Sequence, residues 1–282
     1  MEKIAFIVDS SAGYSKEQLE KFEDTYLIPI SLLLPNAIEV EDTTSEISDD
    51  KFYEILSKES IKTSQISMGK FITKWDELLK TYDKIIFVGL GKGLSGQHST
   101  AVQLSLEEKY LNKVFIIDTD GVSQILKAVF EKVYHWVTKD KVAIDKLQDK
   151  VDELKTKFSV YIVPKNLDTL RRGGRITPAA AALGKLLKIT PILSYNGIID
   201  KFDKTRTFKK AIINVLEQVK KDHIDLEGIH LVYSRTNEED MDLVKSLIKD
   251  SELQIIEEHP LTKVITAHTG ANTIVIIGWD KE

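Results

Sequence analysis

The sequence has no cysteine in its 282 residues, which excludes disulfide bonds, thiolate nucleophiles and zinc sites built on cysteine. Long apolar runs are also missing, since none approaches the ~20 consecutive apolar residues of a membrane-spanning helix. The apolar stretch before Asp9, IAFIV, is too short for the apolar region of a signal peptide. We therefore expect a cytoplasmic protein with no integral membrane segment.

A concentrated positive charge is the third absence. The formal net charge is -5 at pH 7 and no basic tract gathers the lysines, so nucleic acid is not an expected partner. Hydrophobic residues make up 42% of the chain and charged residues 29%, which is ordinary for a globular protein. The length favours two domains over one.

Short apolar runs alternate with helical patterns, such as SKEQLEKFEDTY, through the first half of the chain. The runs KIAFIVD, DKIIFVGL and NKVFIID end at Asp9, Leu90 and Asp118. Strands with little polar alternation, separated by helices, predict a mainly parallel α/β sheet with helices on both faces. Because ligands bind beyond the carboxyl ends of such strands, residues near those three positions are candidates for a binding site.

The second half of the chain predicts a different architecture. FSVYIVP, GIHLVYS, LQIIEEHP and NTIVIIGW have the pattern of strands, with helices expected at 205–221 and 237–250. The charged helix AIDKLQDKVDELKTK comes before these strands and places a boundary near residue 156. The sequence thus predicts an α/β domain over residues 1–156 and an α+β domain over residues 157–282.

The segment GLGKGLSGQHST opens like a nucleotide-binding loop. Gly91, Gly93 and Gly96 match G-x-G-x-x-G, and Asp118 follows about twenty residues later, so a nucleotide-dependent oxidoreductase is one interpretation. The alternative is a glycine-rich turn required by the strand-to-helix geometry. In both cases backbone amides at the start of the next helix attract an anion.

A second motif, VFIIDTDGVS, resembles the nucleophile motif of haloacid-dehalogenase-type phosphatases. In that interpretation Asp118 attacks phosphorus and Asp120 is the acid/base, with Mg²⁺ balancing their charge. The alternative is that both aspartates cap the next helix. For other enzyme classes the sequence lacks a complete set of residues. No second histidine has metal-ligand spacing with His268, and no Ser/His/Asp arrangement is evident.

The segment LRRGGRITPAAAALGKLLKITPIL combines cations with a flexible turn. Arg171, Arg172 and Arg175 flank two adjacent glycines, and planar guanidinium groups suit a phosphate or a carboxylate. The small side chains of the 179–182 alanine run allow another backbone or an aliphatic chain to approach closely.

Taken together, these segments resemble the DegV family, bacterial proteins that bind a fatty acid. The matching pieces follow the family's order along nearly the whole chain: FIVDSSAG, KTSQIS, GKGLSGQHS, VFIIDT, LRRGGRI with LGKLLKITPIL, KTRTFKKA and AHTGANT. The resemblance implies two domains with a lipid tunnel between them. It also implies a long-chain fatty acid as the ligand, with no cofactor, no metal and no catalytic residue in this chain.

The resemblance further implies which residues contact the ligand. Thr63 and Ser95 correspond to the residues that hydrogen-bond the fatty acid carboxylate, and His268 lies close to that head group. The supporting loop residues are Ser64, Gly93 and Gly96.

By the same resemblance, members of the family are carrier subunits of a fatty acid kinase. A separate ATP-binding subunit, similar to dihydroxyacetone kinases, phosphorylates the bound carboxylate, and the acyl phosphate feeds phospholipid synthesis. Arg175 and Arg206 match basic positions associated with phosphotransfer or with docking of that kinase. The expected function is therefore that of a lipid-binding carrier that is not itself an enzyme, with the Asp118 phosphatase as the alternative.

Overall fold

The computed structural model of the chain describes residues 2–43, 46–184, 186 and 188–280. Backbone contacts divide the chain into two compact units. Unit 1 comprises Met1–Ser48 and Thr63–Lys155, and unit 2 comprises Asp49–Lys62 and Thr156–Glu282. Within the described ranges, no helix combines the length and the apolar character needed to cross a membrane.

The secondary structure alternates strands and helices along the chain. The strands are β1 (Ile4–Asp9), β2 (Thr25–Ile28), β3 (Ser31–Leu34), β4 (Ile38–Glu41), β5 (Lys62–Ser64), β6 (Lys84–Val88), β7 (Val114–Ile117), β8 (Phe158–Pro164), β9 (Thr190–Tyr195), β10 (Ile199–Thr205), β11 (Leu226–Tyr233), β12 (Ile255–Pro260) and β13 (Thr273–Asp280). The α-helices are α1 (Lys16–Leu19), α2 (Asp49–Lys58), α3 (Met68–Leu78), α4 (Gln97–Ser105), α5 (Gln124–Thr138), α6 (Leu147–Lys155), α7 (Asp168–Gly173), α8 (Pro178–Leu183), α9 (Phe208–Asp222), α10 (Glu238–Asp250) and α11 (Lys263–Thr269).

Unit 1 is built on a parallel sheet in the order β2-β1-β6-β7, which confirms the predicted α/β architecture. Phe6 pairs with Ile86, so Phe6 and the next residue of β6, Phe87, face opposite sides of the sheet. Tyr134 of α5 packs on Phe6 and Phe71 of α3 packs on Phe87, with ring centroids 5.0 Å and 5.2 Å apart. Helices α5 and α3 therefore cover opposite faces, and the carboxyl ends of β1, β6 and β7 lie at one edge.

Two features of unit 1 differ from the sequence-based prediction. The helix predicted over residues 15–26 is wrong, because α1 ends at Leu19 and β2 begins at Thr25. Asp24, with a φ of 56°, adopts a left-handed conformation that a helix cannot continue through. The small sheet β4-β3-β5 was also not predicted, although its strand β5 carries Thr63 and Ser64.

Unit 2 contains a mixed sheet in the order β10-β9-β8-β13-β11-β12, which confirms the predicted α+β architecture. The helices predicted at 205–221 and 237–250 are confirmed as α9 and α10. Thr207 and Asn237 cap them by accepting hydrogen bonds from the first-turn amides of Lys210 and Asp240. Both helices pack on one face of the sheet around a core that includes Tyr161, Val163, Ile212, Val215, Leu231 and Ile276.

Helix α2 is attached to unit 2 by polar contacts as well as by backbone packing. Arg235 pairs with Asp50 at 2.8 Å, and its backbone N–H donates to the Tyr53 hydroxyl. Lys263 pairs with Asp49 at 2.8 Å. Residues 49–62 are therefore grouped with the second half of the chain, while the domain boundary near residue 156 stays a prediction.

Candidate functional site

The glycine loop that follows β6 is packed too tightly for larger residues at two positions. A Cβ atom at Gly89 would lie 2.4 Å from Phe87 Cζ and 2.9 Å from Asp9 Oδ2. A Cβ atom at Gly91 would lie 2.9 Å from the backbone of Asp120. The interpretation of the segment as a glycine-rich turn for strand-to-helix geometry is therefore correct at these two positions.

Ser95 lies at the end of this loop with its hydroxyl oxygen accepting a hydrogen bond from the Gln97 backbone N–H at 3.2 Å. Because that oxygen is used as an acceptor, the hydroxyl proton can be donated to an anion. Helix α4 begins at Gln97, and its N-cap residue, Gly96, offers no side chain to the first-turn amides. Ser95 and the start of α4 together present donors at the carboxyl edge of the sheet.

Thr63 and Ser64 lie on β5, in a segment that contacts the same loop. The Gln65 side chain donates to the Thr100 hydroxyl of α4 at 2.9 Å, and a Cβ at Gly96 would lie 2.9 Å from Gln65 Oε1. The structure therefore brings the 63–67 segment and the Ser95 loop together. Gly93, also predicted for this loop, lies in its exposed turn.

Asp9 lies at the end of β1, on the same edge of the sheet, and its position was predicted without a role for its carboxylate. It is fully buried and accepts hydrogen bonds from Ser11, from the Leu90 backbone N–H at 2.6 Å and from the Gln97 side chain at 2.7 Å. Burial raises the pKa of the Asp9 carboxyl, and these hydrogen bonds oppose that shift. The signal in the sequence was the D-S-S at the end of a buried strand.

His268 lies on α11 of unit 2, where that helix packs against α7. A Cβ at Gly173 would lie 2.7 Å from His268 Nδ1, so the close approach of the two helices requires glycine. Burial, and then the positive charge of Arg175, lower the pKa of His268 to about 4, although a hydrogen bond to the Gly173 backbone opposes the shift. The imidazole is therefore neutral at neutral pH.

Arg175 and Arg206 occupy different places in unit 2. The Arg175 guanidinium donates to the Gly173 carbonyl at 2.6 Å, beside His268, whereas Arg206 is exposed after the end of β10. Ile176, the residue after Arg175, pairs in an isolated β-bridge with Ile199, the first residue of β10. Arg206 follows the last residue of this seven-residue strand. At about 3.3 Å per residue, the strand separates the two arginine backbones by roughly 20 Å. The structure therefore does not bring them to one anion.

Asp118 and Asp120 are held in ion pairs at the end of β7. Lys92 of the glycine loop lies 2.6 Å from Asp118, and Lys155 lies 3.0 Å from Asp120. Burial raises the pKa of Asp118, but the hydrogen bond from Lys92 and the charge of Lys155 outweigh it and hold the pKa below its ordinary value. Neither aspartate caps α5, whose N-cap is Ser123, so that prediction is wrong.

These ion pairs leave the two enzyme interpretations of this edge without support. Of the two Asp118 carboxylate oxygens, Oδ2 is paired with Lys92 and Oδ1 is buried, so neither is open to a phosphorus atom or a ribose hydroxyl. Among the residues that the structure describes, no cluster of three or more histidine or acidic side chains could hold a metal ion.

A Ser/His/Asp arrangement that no local sequence pattern indicates occurs in unit 2. The Ser159 hydroxyl lies 2.8 Å from His223 Nε2, and His223 Nδ1 lies 3.0 Å from Asp280. The His223 side chain is only 3% exposed, and a Cβ at Gly278 would lie 2.7 Å from its Nε2 atom. Because a substrate has no room beside that nitrogen, the arrangement is structural.

Comparison with known proteins gives a consistent family assignment. The family profile described as "Uncharacterised protein, DegV family" matches residues 3–279. A DegV domain-containing protein from Staphylococcus aureus (strain N315) is 29% identical over 283 residues, covering 98% of this chain and 99% of that protein. Protein DegV from Bacillus subtilis (strain 168) is 30% identical over 224 residues, covering 78% of each chain.

Solved structures agree with this assignment. A fatty acid binding DegV family protein from Streptococcus agalactiae superposes with a TM-score of 0.87 at 26% identity, over 100% of both chains. A DegV lipid binding protein from Thermotoga maritima superposes with a TM-score of 0.79 at 25% identity, over 98% of both chains.

Proposed function

The chain belongs to the DegV family, and from that premise we propose that it binds one long-chain fatty acid as a non-enzymatic carrier. The observation that carries the proposal is the full-length likeness, with a TM-score of 0.87, to the fatty acid binding protein from Streptococcus agalactiae. The donors assembled at the carboxyl edge of the unit 1 sheet suit the carboxylate of such a ligand.

The carboxylate is proposed to bind the hydroxyls of Thr63 and Ser95. A buried carboxylate must receive several hydrogen bonds to offset the loss of water. Ser95 can supply its hydroxyl proton because its oxygen already accepts the Gln97 N–H, and the start of α4 supplies backbone amides. Ser64, Gly93 and Gly96 are proposed as loop residues that shape this segment.

His268 is proposed, on the family resemblance, as a further head-group ligand. Its surroundings favour a neutral imidazole in the unloaded protein, whose single N–H bonds the Gly173 backbone. A hydrogen bond from the ring to the carboxylate therefore requires protonation of the second ring nitrogen. Because its pKa lies near 4, the imidazole of the unloaded protein stays neutral throughout the range above about pH 5. A bound carboxylate would raise that pKa, so any contribution from the protonated form is lost as the pH rises through the raised value.

The size of the apolar contribution suits a carrier that retains its ligand. An alkyl chain of about 16 carbons at ~0.8 kcal/mol per CH₂ gives on the order of 12 kcal/mol before opposing terms. Ordering the chain and removing the carboxylate from water reduce that figure. We therefore expect the fatty acid to remain bound through purification.

Mass spectrometry of the purified full-length protein tests the proposal, first under native conditions and then after organic extraction. The expected result is one fatty acid per chain, whose identity reports the preferred length and unsaturation. A protein that is empty, and that also fails to take up added palmitic acid, would rule out the carrier function.

We further propose that the carrier presents the carboxylate to a separate ATP-binding subunit similar to dihydroxyacetone kinases. A carboxylate oxygen attacks the γ-phosphorus of ATP, ADP leaves, and the acyl phosphate formed feeds phospholipid synthesis. Arg206, exposed at the end of β10, is suited to docking of that subunit. Arg175 is suited to phosphotransfer at the head group, because its guanidinium lies beside His268.

We expect Arg206→Glu to lower the rate of acyl phosphate formation at least tenfold while fatty acid binding stays unchanged. Reversing an exposed charge at a docking surface slows association with a complementary partner. The rate is measured by trapping the acyl phosphate as a hydroxamate in a mixture with the ATP-binding subunit. Lys221→Glu, at the other end of α9, is the matched control. Equal rates for the two variants would exclude Arg206 from docking.

A further inference from the structure

The buried Asp9 carboxylate accepts two hydrogen bonds on each of its oxygens. Oδ1 accepts the backbone N–H of Ser11 at 2.9 Å and the hydroxyl of the same residue at 2.5 Å. Oδ2 accepts the backbone N–H of Leu90 at 2.6 Å and the side-chain amide of Gln97 at 2.7 Å. Each oxygen therefore receives one backbone N–H, which cannot turn away, and one side-chain donor.

Gln97, the partner of Asp9, is also fully buried and has contacts on three sides. Its side-chain nitrogen donates to Asp9, and its side-chain oxygen lies 3.4 Å from the Ile66 backbone N–H, which donates to it. Its own backbone N–H donates to the Ser95 hydroxyl. One residue thus links the end of β1, the segment that follows Thr63 and the hydroxyl of Ser95.

The glycine loop is held from its other side by Thr119. This fully buried hydroxyl donates to the Gly89 carbonyl at 2.8 Å and accepts the Gly121 backbone N–H at 2.9 Å. Gly91 N–H donates to the Gly121 carbonyl at 2.8 Å. The loop is therefore hydrogen-bonded on both sides, to Asp9 through the Leu90 backbone N–H and to Thr119 through the Gly89 carbonyl.

We propose that Asp9 and Gln97 are positioning residues that fix the spacing of the Thr63 and Ser95 hydroxyls, and so set the preference for an ionised carboxylate over a neutral head group. The inference rests on the proposed function. Binding groups must be held to within a fraction of an ångström, and locked second-layer hydrogen bonds supply that precision. Stability alone does not account for the pair, because apolar side chains commonly replace buried charged networks without loss of stability.

The charge of Asp9 provides a way to separate positioning from electrostatics. A negative charge near a bound carboxylate opposes binding, so a purely electrostatic role predicts that Asp9→Asn binds fatty acid more tightly. A positioning role predicts the opposite, since either orientation of the asparagine amide sets its NH₂ group against the backbone N–H of Ser11 or Leu90. Gln97→Met cuts the link to Ile66 while it keeps the Asp9 charge.

The experiment measures dissociation constants for palmitic acid and methyl palmitate on the delipidated full-length chain. The acid-over-ester preference is the dissociation constant of the ester divided by that of the acid. We expect this ratio to fall at least tenfold in both Asp9→Asn and Gln97→Met, while the affinity for the ester stays within threefold of that of the parent. Asp76→Asn is the matched control, because the hydrogen bonds to Asp76 come from the side chains of Lys109 and Tyr110 and not from backbone N–H groups. Thermal melting by circular dichroism establishes that each variant is folded.

The outcomes distinguish the inference from the function on which it rests. A parent chain that binds neither compound refutes the proposed function, and the inference falls with it. If the parent binds, either of two results overturns the inference alone. One is that the variants keep the acid-over-ester preference of the parent, and the other is that the Asp9→Asn protein binds the acid more tightly. If neither variant folds, the network is required for folding and the positioning role is rejected.

Discussion

Replacing both Thr63 and Ser95 with alanine is expected to weaken the binding of palmitic acid by about 100-fold or more. A hydrogen bond to a charged group contributes about 1.5–3 kcal/mol, so the loss of two donors removes roughly 3–6 kcal/mol. The alanine variants leave the alkyl chain its apolar contacts, which confines the loss to the head group. Isothermal titration of the delipidated full-length protein measures the change directly.

Methyl palmitate separates a head-group effect from general damage to the protein. We expect the double variant to change the affinity for the ester less than about threefold, because the ester is a weaker acceptor and has no charge. Thr81→Ala with Ser105→Ala is the matched control, since each hydroxyl donates to the backbone carbonyl three residues before it in the chain. A double variant that binds palmitic acid as the parent does would remove Thr63 and Ser95 from the site.

Much of the fold follows from local sequence patterns. The apolar runs that end at Asp9 and Asp118 are strands of one parallel sheet, because a strand buried on both faces has little polar alternation. The position of the glycine loop at the carboxyl edge follows from the same argument. Strand β5 was missed because three residues, Lys62–Ser64, are too few to show a period.

The candidate site depends on contacts between residues far apart in the sequence, and these could not be predicted. Asp9 and Gln97 are separated by 88 positions, and no local pattern marks them as partners. Likewise Arg175 and His268 were assigned to different roles, whereas packing of α7 against α11 puts the arginine's charge beside the imidazole. Lys92 was given no role of its own, yet its ion pair occupies one oxygen of the Asp118 carboxylate on which both enzyme interpretations depend.

Gly278 shows how such contacts constrain unit 2, and we expect Gly278→Ala to be strongly destabilising. It pairs with Ser159 on β8, and a Cβ there would lie 2.6 Å from Val219 Cγ1 and 2.7 Å from His223 Nε2. Overpacking a core in this way lowers the free energy of unfolding by about 3 kcal/mol, at the upper end of its usual range. The corresponding fall in the melting temperature is roughly 6–12 °C.

The comparison variant for this prediction is Gly69→Ala, at the start of α3, where the nearest atom to the new Cβ lies 3.9 Å away. That change is expected to leave stability unchanged or to raise it by up to about 1 kcal/mol, because alanine favours a helix over glycine. Adding Val219→Ala to Gly278→Ala should recover part of the lost stability, since it removes one of the two overlapping side chains. Differential scanning calorimetry of the parent, Gly278→Ala, Val219→Ala and the double variant measures the coupling. Additive effects of the two substitutions, or a Gly278→Ala protein as stable as the parent, would show that β13 can shift away from α9.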